Sequence, residues 1–183
     1  DVFTLKYFAE IINSLNFKRV FVRDAHSNVS LALINNVYDW GVRGYIEMAV
    51  AKSGAEVLFF PDEGAMKRYS EQSPMPYAFG MKKRDWQTGK ILGLDVINAE
   101  NIVGKDVLIV DDICSRGGTF YHSAKALKAA GAKSVSLYVT HLEETVTIGD
   151  LPGSDLIDHI YTTESIFPKK ELKTWEDWIT IID

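Results

Sequence analysis

A single cysteine, Cys114, occurs among the 183 residues, which excludes an internal disulfide and any multi-cysteine metal site. A lone thiol fits a reducing compartment, so we expect a cytoplasmic protein. No apolar run approaches the length of a membrane span, and no signal-peptide pattern opens the chain. The net charge of −5 argues against broad, non-specific binding of nucleic acid, although it is compatible with a local basic patch. We therefore expect neither nucleic acid nor a membrane as a partner.

The composition is that of an ordinary globular protein, with 46% hydrophobic and 25% charged residues. The length suffices for one domain, or for one domain and part of another. Apolar residues recur at helical spacing from Thr4 to Leu15, almost directly after Asp1, which is not a methionine. A helix entered so abruptly predicts that sequence upstream of Asp1 is missing.

Helices and strands are predicted to alternate along the chain. The predicted helices are Thr4–Leu15, Trp40–Ser53, Ala65–Ser70 and Thr119–Ala130. The predicted strands are Arg19–Arg23, Glu56–Phe60, Tyr77–Met81, Asp106–Val110, Ser134–Thr140 and His159–Thr162. This pattern predicts an α/β fold with a mostly parallel, twisted sheet flanked by helices.

Polar segments follow three of the predicted strands, namely Asp24–Ser27, Pro61–Gly64 and Asp111–Thr119. In open parallel sheets, ligands bind beyond the carboxyl ends of the strands. The placement of these segments therefore favours a shared site.

The segment Val107–Phe120 (VLIVDDICSRGGTF) carries the most specific chemistry. Asp111 and Asp112 follow the predicted strand, and two adjacent carboxylates can accept hydrogen bonds from both vicinal hydroxyls of a ribose.

The loop that follows has the features of an anion site. Gly117 and Gly118 allow the backbone N–H groups to approach an anion, and the helix that follows adds its free N–H groups and its dipole. Ser115 and Thr119 supply hydroxyls, and Arg116 supplies charge. A bare Asp-Asp or Gly-Gly pair would more often be a strand–turn–helix with an acidic cap, but the combination indicates a ribose-phosphate site.

This segment resembles the loop with which type I phosphoribosyltransferases hold phosphoribosyl pyrophosphate (PRPP). Three further segments resemble those of the ribose-phosphate pyrophosphokinases, or PRPP synthetases. Arg23–Ser27 (RDAHS) is similar to their DLHS-type segment, Phe60–Arg68 (FPDEGAMKR) to their SPDxGG segment, and Met81–Arg84 (MKKR) to their K-x-R catalytic loop. The resemblance runs over most of the chain, from about Thr4 to Phe167, and covers roughly the second half of such an enzyme.

The resemblance implies roles for individual residues. Lys82 and Arg84 would be catalytic and would close over the transferring phosphates, with 85–90 as part of a mobile lid. His26 and Asp62 would hold Mg²⁺. Ribose 5-phosphate would be bound by Asp111, Asp112, Cys114, Ser115, Arg116, Gly117, Gly118 and Thr119. In isolation, His26 could be an ordinary strand-end histidine, Asp62 a turn carboxylate and Lys82–Arg84 a solvated basic run.

The implied activity is transfer of diphosphate from ATP to ribose 5-phosphate, giving PRPP and AMP. Residues 1–35 would be the tail of a truncated N-terminal phosphoribosyltransferase-like domain, and residues 36–183 the C-terminal domain with the ribose-phosphate loop. We expect a homo-oligomer, a dimer or higher, and a chain that is inactive alone because much of the adenine site lies upstream.

Two departures from the family pattern keep alternatives open. The loop Cys114–Thr119 replaces the usual Asp-Thr-Ala-Gly-Thr stretch and is closer to that of nucleobase phosphoribosyltransferases, and Asn28–Leu31 replaces a Gln-rich stretch. The alternatives are therefore a PRPP-consuming nucleobase phosphoribosyltransferase and a non-catalytic PRPP-binding or synthetase-associated subunit.

Overall fold

The computed structural model describes residues 3–84 and 91–182, and it describes side-chain surroundings for residues 3–81 and 93–182. The chain divides into two compact units, Asp1–Val42 and Arg43–Asp183. None of the helices in the described ranges is long and apolar enough to cross a bilayer.

The described part of the first unit, residues 3–42, contains two helices and two short strands. They are α1 (Thr4–Ser14), β1 (Val20–Arg23), α2 (Asn28–Leu33) and β2 (Val37–Trp40). The strands pair in parallel, with Val20 opposite Val37. The predicted helix and strand at α1 and β1 are confirmed, whereas α2 and β2 were not predicted. The predicted helix start at Trp40 is wrong, because the aromatic and β-branched residues before it pair with β1 and the helix begins only at Arg43.

The second unit is a seven-stranded sheet with helices. The helices are α3 (Arg43–Ser53), α4 (Glu63–Tyr69), α5 (Gly118–Ala129) and α6 (Lys169–Trp175). The strands are β3 (Val57–Phe60), β4 (Tyr77–Arg84), β5 (Ile91–Ile97), β6 (Asp106–Cys114), β7 (Ser134–Leu142), β8 (His159–Thr162) and β9 (Ile179–Ile181). Their order across the sheet is β5-β4-β3-β6-β7-β8-β9, and every pairing is parallel except that of β4 with β5.

The predicted fold class, a mostly parallel sheet flanked by helices, is confirmed. The central strands are buried on both faces, as their continuous apolar runs require, and Phe59, Ile109 and Leu137 are fully buried. Helix α5 packs Ala124 and Leu127 into the same core. Each of the large apolar side chains contributes roughly 2 kcal/mol when it is removed from water, so the sheet is a rigid base for the loops at its ends.

The chain changes direction between β3 and β6, which are neighbours in the sheet. After β3 it passes through α4 to β4 on one side, and after β6 it passes through α5 to β7 on the other. A reversal of this kind opens a crevice at the carboxyl ends of the two strands, where ligands bind in doubly wound folds. Pairing of β3 with β6 ends at Phe59 and Ile109, whereas β6 continues beside β7 as far as Cys114 and Leu142. The end of β6 therefore projects beyond β3 into this crevice.

Candidate functional site

Asp111 and Asp112 lie within β6, not after it as the sequence predicted. Acidic residues are rare in strands. Here the pairing of β6 with β7 continues as far as Cys114 and Leu142, so both aspartates are part of the strand. The Asp111 side chain is 15% exposed and that of Asp112 only 4% exposed. Two carboxylates are thus held at the mouth of the crevice by a sheet strand.

Arg68 of α4 bridges these two carboxylates. Its Nη1 donates to Oδ2 of Asp112 at 3.2 Å, and its Nη2 donates to Oδ1 of Asp111 at 3.3 Å. The guanidinium carbon lies 5.2 Å from the ring centroid of Tyr69, a buried neighbour that limits how far the group can move. Sequence reasoning missed this contact. The sequence contains one indication of it, because Arg68 follows β3 by eight residues and β3 is the neighbour of the strand that carries the acidic pair.

Backbone groups also hold the carboxylates. Oδ1 of Asp111 accepts the N–H of Asp112 at 3.0 Å, and Oδ1 of Asp112 accepts the N–H of Ile113 at 2.9 Å. Burial, followed by the charge of Asp112, raises the pKa of Asp111, while the Asp112 N–H and the positive charge of Arg68 act in the opposite direction, and the net pKa is about 7. Asp111 therefore changes its protonation state near neutral pH.

The loop after β6 exposes the N-terminus of α5. Gly117 is the N-cap residue at φ 85°, and no side chain caps the helix. The first N–H groups of the 12-residue helix are therefore not satisfied by a cap and form a natural anion site. A Cβ at Gly117 would lie 2.6 Å from Cγ of Leu151, so both the backbone angle and the packing require glycine there. Ser115, Arg116 and Thr119 are exposed around this N-terminus.

The segment that follows β7 supports this loop from behind. The N–H of Asp150 donates to the carbonyl of Arg116 at 3.0 Å. The hydroxyl of Ser115 lies 3.1 Å from that of Thr145, which in turn donates to a carboxylate oxygen of Glu143 at 3.2 Å. The loop is thus fixed by contacts to residues about 30 positions away, and none of these contacts was predicted.

Cys114, predicted to contact the substrate, has its side chain in the hydrophobic core and is 1% exposed. Burial raises the pKa of its thiol to about 12. Because side chains alternate along β6, the exposed neighbour Ile113 faces outward while Cys114 faces the core. We therefore revise the role of this side chain from ligand contact to packing.

Asp62, predicted to hold Mg²⁺, is the N-cap of α4. Its Oδ1 accepts the N–H of Ala65 at 3.0 Å, and the residue is half-buried two positions after β3 ends. It lies at the same edge of the sheet as Asp111 and Asp112. Among the residues with described side chains, no group of three or more His, Cys, Asp or Glu forms a metal-binding cluster. Mg²⁺ usually takes only one or two protein carboxylates together with substrate phosphates and waters, so Asp62 has chemistry that fits this ion.

The other predicted metal ligand, His26, is exposed and belongs to the first unit, where it precedes the helix α2. Ser27 caps that helix by accepting the N–H of Val29 at 3.2 Å. A role for His26 in metal binding stays a prediction from the sequence.

The predicted catalytic triplet Lys82–Arg84 lies in β4, paired with β5, and is not part of a loop. Its side chains and the predicted lid at 85–90 lie outside the described residues. The strand passes close to the candidate metal position, because a Cβ at Gly80 would lie 2.7 Å from the carbonyl oxygen of Pro61. The start of the hairpin is thus packed against the residue before Asp62.

Comparison with known proteins identifies the family. A family model described as "Phosphoribosyl transferase domain" matches residues 66–175, which is more than half of the chain. The chain belongs to the phosphoribosyl transferase domain family. The matched region contains Arg68, Lys82–Arg84 and Asp111–Thr119, whereas His26 and Asp62 precede it.

Within this family, the chain is similar to curated proteins named ribose-phosphate pyrophosphokinase. It is 30% identical over 176 residues to one from Mesorhizobium japonicum, covering 89% of this chain and 54% of the relative. It is 40% identical over 88 residues to one from Saccharolobus solfataricus, covering 46% of this chain and 30% of that protein. The predicted resemblance is confirmed, and the chain spans about half the length of such relatives, or less.

A solved structure supports the phosphoribosyltransferase fold. The phosphoribosylpyrophosphate synthetase from Mycobacterium smegmatis superimposes with a TM-score of 0.75 and 19% identity, covering 100% of this chain and 60% of that one. At this identity the likeness establishes the fold alone. The phosphoribosyl transferase domain of this chain therefore has the architecture that the sequence predicted.

Proposed function

We propose that the chain carries the ribose 5-phosphate site of a ribose-phosphate diphosphokinase, which transfers diphosphate from ATP to ribose 5-phosphate. The observation that carries the proposal is the position of the Asp111–Asp112 pair near the carboxyl end of β6, a few residues before the uncapped N-terminus of α5. Carboxylates accept hydrogen bonds from hydroxyls, and a helix N-terminus attracts phosphate. The two ends of a ribose 5-phosphate require these two environments.

The sugar would be oriented by its 2- and 3-hydroxyls on the carboxylates and by its phosphate at the loop. Ser115 and Thr119 would donate hydroxyl hydrogen bonds to the phosphate, Arg116 would add positive charge, and the backbone N–H groups of Gly117 and Gly118 would complete the cradle. Held at both ends, the sugar presents its 1-hydroxyl away from the loop. Such positioning converts an encounter between two substrates into a reaction within one complex.

In the proposed reaction, the oxygen of the 1-hydroxyl attacks the β-phosphorus of ATP. The bond between that phosphorus and the oxygen of the α-phosphate breaks, AMP leaves with that oxygen, and the hydroxyl proton is released. Lys82 and Arg84 would stabilise the negative charge that moves between the phosphates. Mg²⁺, for which Asp62 is a proposed ligand, would supply charge neutralisation of the phosphates when bound, and a metal-binding role for His26 stays a prediction from the sequence.

The whole activity is tested by measuring products. The protein is incubated with ATP, ribose 5-phosphate and Mg²⁺, and AMP and PRPP are quantified, while binding of ribose 5-phosphate is measured by titration calorimetry. We expect both products from the whole protein, and binding of ribose 5-phosphate by the 183-residue chain. Asp112→Asn should weaken that binding on the order of a hundredfold, because it removes the charge of a buried hydrogen-bonding carboxylate.

Asp155→Asn is the matched control, since Asp155 is exposed and precedes β8 at the opposite, amino end of the strands. Binding should be unchanged in this variant. Release of pyrophosphate from PRPP and a base, without AMP formation, would instead favour a nucleobase phosphoribosyltransferase. Binding without turnover in any assay would favour a non-catalytic subunit, and absence of binding would overturn the proposal for the site.

A further inference from the structure

Arg68 holds a position that the proposed chemistry does not by itself explain. It lies on α4, more than 40 residues before the acidic pair, and its side chain is 22% exposed. It does not belong to the loop around the phosphate, and it contacts both carboxylates that would accept the sugar hydroxyls. A cation on the acceptor atoms of a binding site either competes with the ligand or arranges those atoms for it.

The geometry favours arrangement over competition. Arg68 uses one oxygen of Asp111, Oδ1, which also accepts the N–H of Asp112. The contacts from the Arg68 guanidinium and from the Asp112 N–H both go to Oδ1 of Asp111, and neither uses its second oxygen, Oδ2. Because the rigid guanidinium fork contacts both carboxylates at once, it fixes their separation and orientation while leaving this oxygen for a hydroxyl.

The surroundings of Asp111 make a cation necessary there. The titratable and charged groups that interact with Asp111 are Arg68 on α4 and Asp112 and Cys114 on β6; Tyr69 interacts with Arg68, and Glu143 with Cys114. Arg68 is the cation in this set, and the others are acids. Two adjacent carboxylates at 15% and 4% exposure repel each other, so without Arg68 the more exposed one would hold a proton to higher pH. A protonated carboxyl is a poorer acceptor for a hydroxyl.

We propose that Arg68 is a positioning residue for the ribose site, which holds Asp111 and Asp112 side by side, and favours their ionised forms, as a pair of acceptors for the vicinal hydroxyls of the sugar. This inference rests on the proposed function. Arg68 acts through the carboxylates and does not touch the sugar.

Two measurements on the 183-residue chain test the proposal. The first follows the Asp111 carboxyl by ¹³C NMR as a function of pH without ligand. The second measures the affinity for ribose 5-phosphate from pH 6 to 9. In Arg68→Gln, the Asp111 titration should move up by about one unit or more. For a one-unit shift from about 7, the affinity at pH 7.5 should fall about threefold and recover as the pH rises, which a merely structural loss would not produce.

Arg68→Lys and Lys67→Gln complete the set. Lysine restores the charge but not the fork, so this variant should titrate near the wild type yet bind about threefold more weakly, and it serves if Arg68→Gln does not fold. Lys67 is exposed and pairs with Glu63 on the surface of the same helix, so Lys67→Gln should change neither measurement.

The outcomes separate this inference from the proposed function. If wild type binds ribose 5-phosphate, and Arg68→Gln and Arg68→Lys keep its affinity and its pH profile, the role of Arg68 is overturned. If wild type binds no ribose 5-phosphate at any pH, the proposed function is overturned. The NMR titration then still decides whether Arg68 keeps Asp111 ionised, because an unchanged titration in Arg68→Gln refutes that as well.

Discussion

Gly149 packs directly against the backbone of Arg116, so that a Cβ at position 149 would overlap the carbonyl oxygen of Arg116. Arg116 belongs to the loop before α5, and Gly149 to the segment after β7 that supports this loop. The N–H of Asp150, the next residue, donates to the same carbonyl. The conformation of the candidate phosphate loop therefore depends on a contact with a residue 33 positions later in the chain.

Gly149→Ala should displace the loop without unfolding the protein. Gly149 has φ −92°, which alanine adopts freely, so the effect arises from the overlap with Arg116 alone. We expect affinity for ribose 5-phosphate to fall on the order of tenfold, about 1.4 kcal/mol, as measured by calorimetry. Gly44→Ala is the control, since a Cβ at Gly44 meets nothing within 4 Å. Equal affinity in both variants would show that the support of the loop is not needed for binding.

Gly80 offers a separate test of how the β4–β5 hairpin is held. A Cβ there would lie 2.7 Å from the carbonyl oxygen of Pro61 and 2.8 Å from Cδ1 of Leu94. Gly80→Ala should lower the free energy of unfolding by about 2 kcal/mol, because overpacking of a fitted contact costs that order of energy. The measurement is urea denaturation, with Gly93→Ala in the partner strand as the control, where a Cβ meets nothing within 4 Å. If Gly80→Ala changed the free energy of unfolding as little as Gly93→Ala, the backbone around Pro61 would have moved to accept the Cβ without losing stability.

Much of the sheet could be predicted from the sequence because β3 and β6 contain continuous apolar runs, which are typical of strands buried on both faces in a parallel sheet. The strand β2 was missed because Trp40 also fits the start of an amphipathic pattern. The end of β6 was predicted too early because aspartate has a low strand propensity. In the structure, pairing with β7 extends the strand through Asp111 and Asp112 to Cys114.

Part of the site could be predicted because its residues are close together in the sequence. Local order along the chain predicted a strand, a glycine loop and a helix in succession, and the structure has β6 and α5 there, with Thr119 inside the helix, although Asp111 and Asp112 lie inside the strand. The contacts of Arg68 and Gly149 join positions 33 to 44 residues apart, and no local pattern encodes such contacts. The burial of Cys114 follows from the alternation of side chains once β6 is extended past Val110.

The revised role of Cys114 can be tested chemically. Because its thiol is 1% exposed and burial raises its pKa to about 12, it should not react with Ellman's reagent at pH 8 until the protein is unfolded. Cys114→Ala should keep the affinity for ribose 5-phosphate and lower the free energy of unfolding by about 1 kcal/mol. Rapid labelling of the native protein, or loss of ribose 5-phosphate binding without loss of stability in Cys114→Ala, would indicate that the thiol contacts the ligand.

The pKa of Asp111 predicts opposite effects of pH on stability and on binding. Its pKa rises from an ordinary value of 3.8 to about 7 on folding. Between those values the native state keeps a proton that the unfolded state has released. The contribution of this group to stability is therefore present below about pH 4 and lost as the pH rises to about 7. Binding of hydroxyls by the carboxylate should strengthen over the upper part of the same range.

The check is to measure urea denaturation and ribose 5-phosphate affinity between pH 5 and 8 in wild type and in Asp111→Asn. The variant cannot titrate at this position, so the difference between the two proteins isolates Asp111 from titration of the ligand's own phosphate. Parallel curves in the two proteins would mean that Asp111 does not titrate in this range.

The central claim, that ribose 5-phosphate binds between the acidic pair of β6 and the N-terminus of α5, is tested most directly by NMR. Ribose 5-phosphate is added to the ¹⁵N-labelled chain and the backbone amide shifts are followed. We expect the largest changes within Asp111–Phe120, with saturable behaviour, and we expect inorganic phosphate to move the amides of Gly117–Phe120 but not those of Asp111 and Asp112. Saturable changes centred elsewhere, or no change at millimolar ribose 5-phosphate, would contradict it.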